Sequence, residues 1–204
     1  MKRLILGIAI ILTINSCKSE VKNEKNVENS QVGANIELKH KTQTLFIELS
    51  PKNNSMVNGK AKFEETNGVI EMTVVVNGLS EGIHAIHIHE KSDCTSDDGK
   101  SAGGHWNPTA KPHGKWGAET GYHKGDIGNF IVNKADEDTT VVFKSDEWCI
   151  GCGDPTKDIL EKAIIIHQGQ DDYKSQPSGA AGSRISCGGI IISVSYTHLR
   201  AHET

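Results

Sequence analysis

Short segments rich in β-branched residues recur along the chain, separated by turn dipeptides such as Asn58-Gly59 and Asn67-Gly68. Strands bounded by such turns are typical of an all-β sandwich or barrel. The pattern predicts eight strands, at residues 42–49, 59–65, 68–77, 83–90, 128–133, 139–144, 162–167 and 186–193. Long helical periodicity is absent from the sequence, which leaves room for one short turn at residues 157–162.

Two long stretches, residues 91–124 and 168–182, lack strand character. Long irregular loops in a compact domain are commonly functional. We therefore expect the chemistry of this protein to lie where these two loops meet the strands.

Composition narrows the functional classes. The chain has 204 residues, which suits one domain with a short appendage. Its 22 basic and 26 acidic residues leave a net charge of −4, so the chain offers no basic field for nucleic acid. Ten His and five Cys stand out, because His, Cys and carboxylates are the side chains that bind transition metals.

The beginning of the chain predicts export. A basic start precedes an apolar run at residues 4–14, which is too short to span a bilayer as a helix. The tetrapeptide that ends at Cys17 resembles a bacterial lipobox, which implies that residues 1–16 are removed and Cys17 is lipid-modified; an ordinary signal peptide is the alternative. Residues 17–34 are polar and predict a flexible tether. We expect a membrane-anchored lipoprotein that faces the periplasm or the cell surface.

The other end of the chain does not read as part of a fold. Residues 194–204 resemble the translation of a transposon-type sequencing adapter, with a genuine histidine-containing tail as the alternative. The expected domain is therefore residues 35–193. Without residues 1–16 and 194–204 the chain loses three basic residues and one acidic residue, so the remainder is more acidic than the whole.

Residues 84–89 read His-Ala-Ile-His-Ile-His and predict a metal-binding strand. Because side chains alternate between the faces of a strand, His87 and His89 share one face, while His84 shares the other with two Ile residues. Two imidazoles on a rigid strand can bind one metal ion, although a solvent-facing pair of His fits the same pattern. We expect His84 to be packed and hydrogen-bonded in the core.

The loop that follows strengthens the case for a metal site. It carries His105, His113, His123 and Asp126 within 22 residues, and three His with one carboxylate suit Zn²⁺. Several Gly and Pro residues let this loop wrap around an ion. A later apolar strand ends in His167, which is a candidate partner from a distant part of the chain.

These motifs stand in an order that resembles the copper,zinc superoxide dismutases: HxH, GGHWNP, KPHG, HKGD, a His after an apolar strand, and GSRxxCGG. The resemblance covers residues 35–193. It implies an eight-stranded Greek-key β-barrel or sandwich of immunoglobulin-like type, with two long functional loops. It also implies an enzyme that dismutates superoxide to O₂ and H₂O₂.

The same resemblance implies two cofactors, copper and zinc. Copper is expected on His87, His89, His105 and His167. Zinc is expected on His105, His113, His123 and Asp126. His105 is then the catalytic bridge between the two ions, and it carries a proton to the substrate. Asp172 matches the family's aspartate that hydrogen-bonds to one ligand His of each metal, and such partners set the ring orientation.

The cysteines divide into two groups. Cys94 and Cys187 match the family's intrasubunit disulfide, which suits an exported protein. Cys149 and Cys152 form an additional CxxC motif, for which a local disulfide, a thiol redox pair and a weak metal site all stay open.

Arg184 lies in the family's GSRxxCGG motif, although taken alone it reads as an ordinary surface charge. Since the chain is acidic, we expect capture of the anion superoxide to depend on local positive charge, at copper and at Arg184. The alternative function is a non-catalytic copper or zinc carrier of the same fold, which we expect to lack a metal ligand or the arginine. Either a monomer or a homodimer fits the sequence.

Overall fold

Eight antiparallel strands dominate residues 42–192, the part of the chain that the computed structural model describes. They are β1 (Gln43–Pro51), β2 (Asn58–Thr66), β3 (Val69–Asn77), β4 (Gly82–His89), β5 (Gly128–Val132), β6 (Thr139–Ser145), β7 (Ala163–His167) and β8 (Arg184–Gly189). The predicted eight strands are confirmed, although β8 begins and ends earlier than expected. One 3₁₀ turn at Lys100–Ala102 has no counterpart in the sequence pattern, and residues 157–162 form turns without a helix.

The strands form one sheet in the order β5-β4-β7-β8-β1-β2-β3-β6. One half contains β1, β2, β3 and β6, and the other contains β5, β4, β7 and β8. Two residue pairs between β1 and β8, Ser50 with Cys187 and Pro51 with Ser186, join the halves. The neighbours β3–β6 and β4–β7 are not consecutive in the chain, as in a Greek key. The sheet is therefore a nearly closed barrel, and the predicted fold class is confirmed.

The core lies between the two halves of the sheet. Alternate residues of β3 point inward, and so do alternate residues of β4 and β7. The buried apolar side chains that these three strands contribute to the main core are Ile70, Met72, Val74, Val76, Ile86, Ile88, Ile164 and Ile166. Each such side chain stabilises the fold by about 1.5–3 kcal/mol through removal from water.

Strands β4 and β7 are buried on both faces, and so are the central residues of β8. The outer face of β7 packs Ala163 and Ile165 against Ala102 and the Cys94–Cys187 pair. The loops that follow the strands therefore cover the barrel on this side. This cover is why the outward-pointing histidines of β4 are not in contact with solvent.

Several predictions from the two ends of the chain concern residues that the structure does not describe. They are the signal at residues 1–16, lipidation at Cys17, the tether at 17–34 and the adapter-like segment at 194–204. Within residues 42–192, no helix combines the length and apolar character that crossing a membrane requires.

Candidate metal centre

Backbone pairing between β4 and the first long loop builds the base of the site. His105 forms an isolated antiparallel bridge with His89. Next to it, the amide of Trp106 donates to the carbonyl of Ile88 (2.9 Å), and the amide of Ile88 donates to the carbonyl of Gly125 (2.9 Å). A side chain at Gly125 would collide with the Ile88 carbonyl, so only glycine lets the loop approach β4 this closely.

The first cluster contains the four histidines for which the sequence analysis predicts copper. The two from β4 lie on one face of the strand, a third comes from the first loop, and the fourth ends β7 at a bulge. One ring nitrogen from each lies within 4.8 Å of the others, and all four residues are buried: His87, His89, His105 and His167. Because the alternative of a solvent-facing His pair requires exposure, it is wrong.

The second cluster contains the three histidines and the aspartate for which the sequence predicts zinc. Their candidate ligand atoms also lie within 4.8 Å of one another, and all four residues are buried: His105, His113, His123 and Asp126. The carboxylate of Asp126 lies 2.8 Å from Nδ1 of His105 and accepts a hydrogen bond from the amide of His123 (2.8 Å). His105 therefore belongs to both clusters.

Five ring nitrogens inside these clusters are buried without a hydrogen-bond partner. The buried unpartnered atoms are Nδ1 of His87, His113, His123 and His167, and Nε2 of His105. Nδ1 of His113 lies 3.0 Å from a carboxylate oxygen of Asp126 without hydrogen-bond geometry. A buried polar atom left unpaired is costly. Nitrogen lone pairs that converge in this way fit metal ions between them.

Burial keeps most of these imidazoles neutral, as metal binding requires. It lowers the pKa of His87, His89 and His167, and it lowers the pKa of His105 to about 4. Burial alone would raise the pKa of Asp126, but the three histidines around it hold that pKa well below its usual range. The second cluster therefore includes a permanent negative charge that favours a cation.

The aspartate that links the two clusters is Asp171, and the prediction of Asp172 is wrong. Nε2 of His87 and Nε2 of His113 each donate to one carboxylate oxygen of Asp171, both at 2.9 Å. Asp171 is fully buried, whereas Asp172 is exposed and accepts hydrogen bonds from the backbone of Lys174 and Ser175 within its own turn.

Two residues that the sequence analysis missed explain why Asp171 faces inward. Asn129 of β5 accepts a hydrogen bond from the amide of Asp171 and donates one to its carbonyl, which orients the backbone. Gly179 lies against the carboxylate with a φ of 68°, and a Cβ there would collide with Asp171 and lie 2.6 Å from Nε2 of His113. Neither residue carries a recognisable metal-site motif, so no signal in a single sequence marks them.

Arg184, the first residue of β8, lies at the mouth of the site. It lines a cavity of about 720 Å³ together with His89, His105 and His167. One guanidinium nitrogen donates to the carbonyl of Gly99 (2.8 Å), so the segment around Gly99 orients the arginine. Two lysines of the first loop, Lys100 and Lys111, line the same cavity.

The remaining predictions concern His84 and the cysteines. His84 is buried, and its Nδ1 lies 3.1 Å from the carbonyl oxygen of His167, as expected for a packed core histidine. Cys94 and Cys187 form a disulfide with a Cα–Cα distance of 5.8 Å, which confirms the predicted pair. Cys149 and Cys152 are also paired, which corresponds to the local disulfide among the three alternatives.

Comparison with known proteins agrees with this geometry. Residues 57–190 match the model of the family described as "Copper/zinc superoxide dismutase (SODC)". "Superoxide dismutase [Cu-Zn] 2" of Aquifex aeolicus is 39% identical over 139 residues, which cover 66% of this chain and 79% of that protein. "Superoxide dismutase-like protein YojM" of Bacillus subtilis is 31% identical over 178 residues, which cover 85% and 83%.

Solved structures show the same architecture. A double mutant of a SOD-like protein from Bacillus subtilis, in which a tyrosine and a proline are replaced by histidine, superimposes with a TM-score of 0.64 at 32% identity. The superposition covers 72% of this chain and 97% of that one. The matched family model, the relatives and the two linked histidine clusters agree, and this chain belongs to the copper/zinc superoxide dismutase family.

Proposed function

We propose that this protein dismutates superoxide to O₂ and H₂O₂ with copper and zinc as cofactors. The observation that carries the proposal is that His105 belongs to both buried ligand clusters and opens on the cavity that Arg184 lines. This arrangement supports a redox site, a neighbouring structural site and an anion-binding group that lie close together.

The donor sets favour a different metal in each cluster. Four imidazoles suit copper, and His87, His89, His105 and His167 are its proposed ligands. Three imidazoles and one carboxylate suit a closed zinc site, which we assign to His105, His113, His123 and Asp126. When bound, copper supplies a one-electron redox centre, and zinc supplies a fixed positive charge beside it.

His105 is the proposed proton carrier. Its Nδ1 faces Asp126, while its Nε2 is buried without a partner on the side of the four-histidine cluster. Burial lowers the pKa of His105 to about 4, so the neutral ring has a low intrinsic affinity for a proton. Nε2 can therefore take up a proton and release it readily to a reduced oxygen species in the cavity.

Arg184 is the proposed anion-binding group. It lies beside three of the cluster histidines, and its guanidinium is oriented by the carbonyl of Gly99. A fixed positive charge in a cleft attracts a small anion and can raise the association rate about 10- to 1,000-fold. The arginine thus offsets the net negative charge of the chain at the place where superoxide must bind.

A combined metal and activity measurement tests the proposal. The purified chain is loaded with copper and zinc, its metal content is determined, and superoxide decay is followed with and without it. We expect one copper and one zinc per chain and rapid decay. When His87 and His89 are replaced by Ala, copper and the decay are lost together, whereas zinc stays bound. Copper binding without superoxide decay would support a carrier, and the absence of stoichiometric metal would support a structural role.

The two disulfides are typical of an exported protein. We further propose that lipid on Cys17 anchors the chain to a membrane, since Cys17 ends a lipobox-like tetrapeptide. Metabolic labelling with a fatty acid tests this. Label in the wild-type chain that is lost in Cys17→Ser, together with release of the protein from membranes, is the expected result; equal fractionation of both chains contradicts it.

A further inference from the structure

The Cys149–Cys152 pair lies in the connection between β6 and β7, outside both metal-ligand clusters. The proposed dismutation does not use it. The same chain contains a second disulfide, Cys94–Cys187, which serves as an internal reference.

The two disulfides differ in their access to solvent. Cys152 is exposed, and Cys149 beside it is 8% exposed, whereas Cys187 is only 1% exposed and packs with Ile165 and Ala163. A thiol can attack a disulfide only where it reaches a sulfur atom along the S–S axis. Cys152 offers such a sulfur on an exposed residue, whereas the Cys94–Cys187 pair offers only the partly buried Cys94.

The two disulfides also differ in the length of chain that they close. Cys149 and Cys152 are three residues apart, and Cys94 and Cys187 are 93 residues apart. Closing a long loop restricts the unfolded chain far more than closing a short one. The short ring therefore adds little to folding stability, so the fold loses little when that bond opens.

The backbone around the short ring is held by contacts other than the disulfide. The carboxylate of Asp158 accepts hydrogen bonds from the amides of Gly151 and Gly153, both at 2.9 Å. The amide of Cys149 donates to the carbonyl of Lys157 (2.9 Å), and its carbonyl accepts from Ile159 (3.0 Å). These bonds keep the two cysteines close together when their sulfurs are not bonded.

A reactant has space to approach. Gly153, directly after Cys152, lines a cavity of about 570 Å³ with Pro155 and Leu160. The glycines that flank Cys152 carry no side chain that could shield its sulfur. The Cys149–Cys152 ring is therefore short and exposed, and its backbone is already arranged for two neighbouring thiols, unlike a buried cross-link.

We propose that Cys149 and Cys152 form a reversible thiol–disulfide exchange site that accepts electrons from an exported dithiol, while Cys94–Cys187 stays oxidised. One thiolate of the donor attacks Sγ of Cys152, a mixed disulfide forms, and Cys149 leaves as a thiolate. The second thiol of the donor then displaces Cys152. Two electrons and two protons pass to the cysteines, and the donor becomes a disulfide.

Differential alkylation of the full chain tests the order of reduction, with dithiothreitol as the probe dithiol. The protein is equilibrated at graded ratios of reduced to oxidised dithiothreitol, alkylated, and analysed by mass spectrometry of the two cysteine peptides. We expect Cys149 and Cys152 to be half reduced at a ratio at least tenfold lower than Cys94 and Cys187 require, and to re-form the same bond on reoxidation.

A pair of variants tests the role assigned to the backbone contacts. Asp158→Ala removes the acceptor for the amides of Gly151 and Gly153, so the two thiols are held less closely together. The ratio of reduced to oxidised dithiothreitol at which Cys149 and Cys152 are half reduced is therefore expected to fall several-fold. Asp154→Ala is the matched control, because the carboxylate of Asp154 bonds only Thr156 of the same loop. Its midpoint is expected to stay within twofold of the wild-type value.

Reduction of both pairs at one ratio, earlier reduction of Cys94–Cys187, or reduction of Cys149–Cys152 only on unfolding overturns the proposal and leaves a structural cross-link. Equal midpoints for Asp158→Ala and Asp154→Ala contradict the role of Asp158. Differential alkylation counts free thiols, and the measurement is carried out on both the metal-free and the metal-loaded protein. Its outcome is therefore independent of whether the chain dismutates superoxide.

Discussion

Asn129 and Asp171, 42 residues apart in the chain, are joined by two hydrogen bonds between the Asn129 side chain and the Asp171 backbone. These bonds turn the carboxylate of Asp171 toward the imidazoles of His87 and His113. A residue of β5 thus decides which of two consecutive aspartates orients the metal-site histidines.

Replacing Asp171 by Asn is expected to weaken metal binding by about 10- to 100-fold, because carboxylate partners fix the orientation and basicity of ligand histidines. Competition against a chelator of known affinity measures the change for copper and for zinc. Asp172→Asn removes the same charge one residue away and is expected to bind both metals as the wild type does. Equal losses in the two variants contradict the assignment.

Gly179→Ala is expected to displace the carboxylate of Asp171, against which Gly179 lies. The new methyl group meets Asp171 and lies 2.6 Å from His113, at a φ that L-residues avoid at a cost of about 1–2 kcal/mol. Gly68→Ala is the matched control, since Gly68 has a φ of 76° and open space around its Cβ position. Both variants lose stability in urea denaturation, and only Gly179→Ala also loses metal affinity.

Arg184→Ala is expected to keep both metals and to slow superoxide decay by about tenfold or more, with a weaker dependence on ionic strength. Arg184→Lys retains the positive charge but not the planar guanidinium, and is expected to lose less activity. Lys60→Gln removes one positive charge from β2 and serves as the control for net charge. An unchanged salt dependence in Arg184→Ala rules out guidance by this residue.

Glu147 is expected to fix the first loop on both sides of the proposed zinc ligand His123. Its carboxylate accepts a hydrogen bond from the hydroxyl of Tyr122 (2.6 Å) and pairs with Lys124. A partly buried pair of this kind contributes on the order of 1 kcal/mol, so Glu147→Ala is expected to release zinc about fivefold faster. Zinc transfer to a coloured chelator measures the rate. Glu71→Ala, which breaks the exposed ion pair with Lys144, should leave it unaltered.

The stability of the metal-free protein is expected to peak near pH 6.5. Burial lowers the pKa of His105 from 6.5 to about 4, whereas Asp126 and Asp171 outweigh burial and raise the pKa of His113 to about 9. Between about pH 4 and 6.5 the unfolded chain binds more protons at position 105, so acidification destabilises the fold. Between 6.5 and 9 the folded chain holds a proton at position 113 that the unfolded chain has lost, so stability falls as pH rises.

Urea denaturation of the metal-free chain across this range checks the profile. Between about pH 4 and 6.5, the free energy of unfolding is expected to change by up to about 1.4 kcal/mol per pH unit for each proton involved. His87, His89 and His167 have lowered pKa values as well and steepen this change. Stability that changes in one direction only, from pH 4 to pH 9, contradicts the opposed shifts of His105 and His113.

The sequence by itself determined the strand number and the placement of His87 and His89 on one face of a strand, and resemblance to the family implied the residues of both ligand clusters. These features are local or ordered along the chain: alternation within a strand follows from backbone geometry, and motif order is visible in one dimension. The Cys94–Cys187 pair was accessible from the sequence by resemblance for the same reason.

Only the tertiary structure decided which residues surround the ligands. Asp171 and Asp172 are chemically identical neighbours, and the choice between them depends on Asn129 from β5 and on the space that Gly179 leaves. The same holds for Gly99, which orients Arg184 from 85 residues away. Hydrogen bonds of this kind depend on where distant segments meet, and a single sequence carries no local pattern for such a contact.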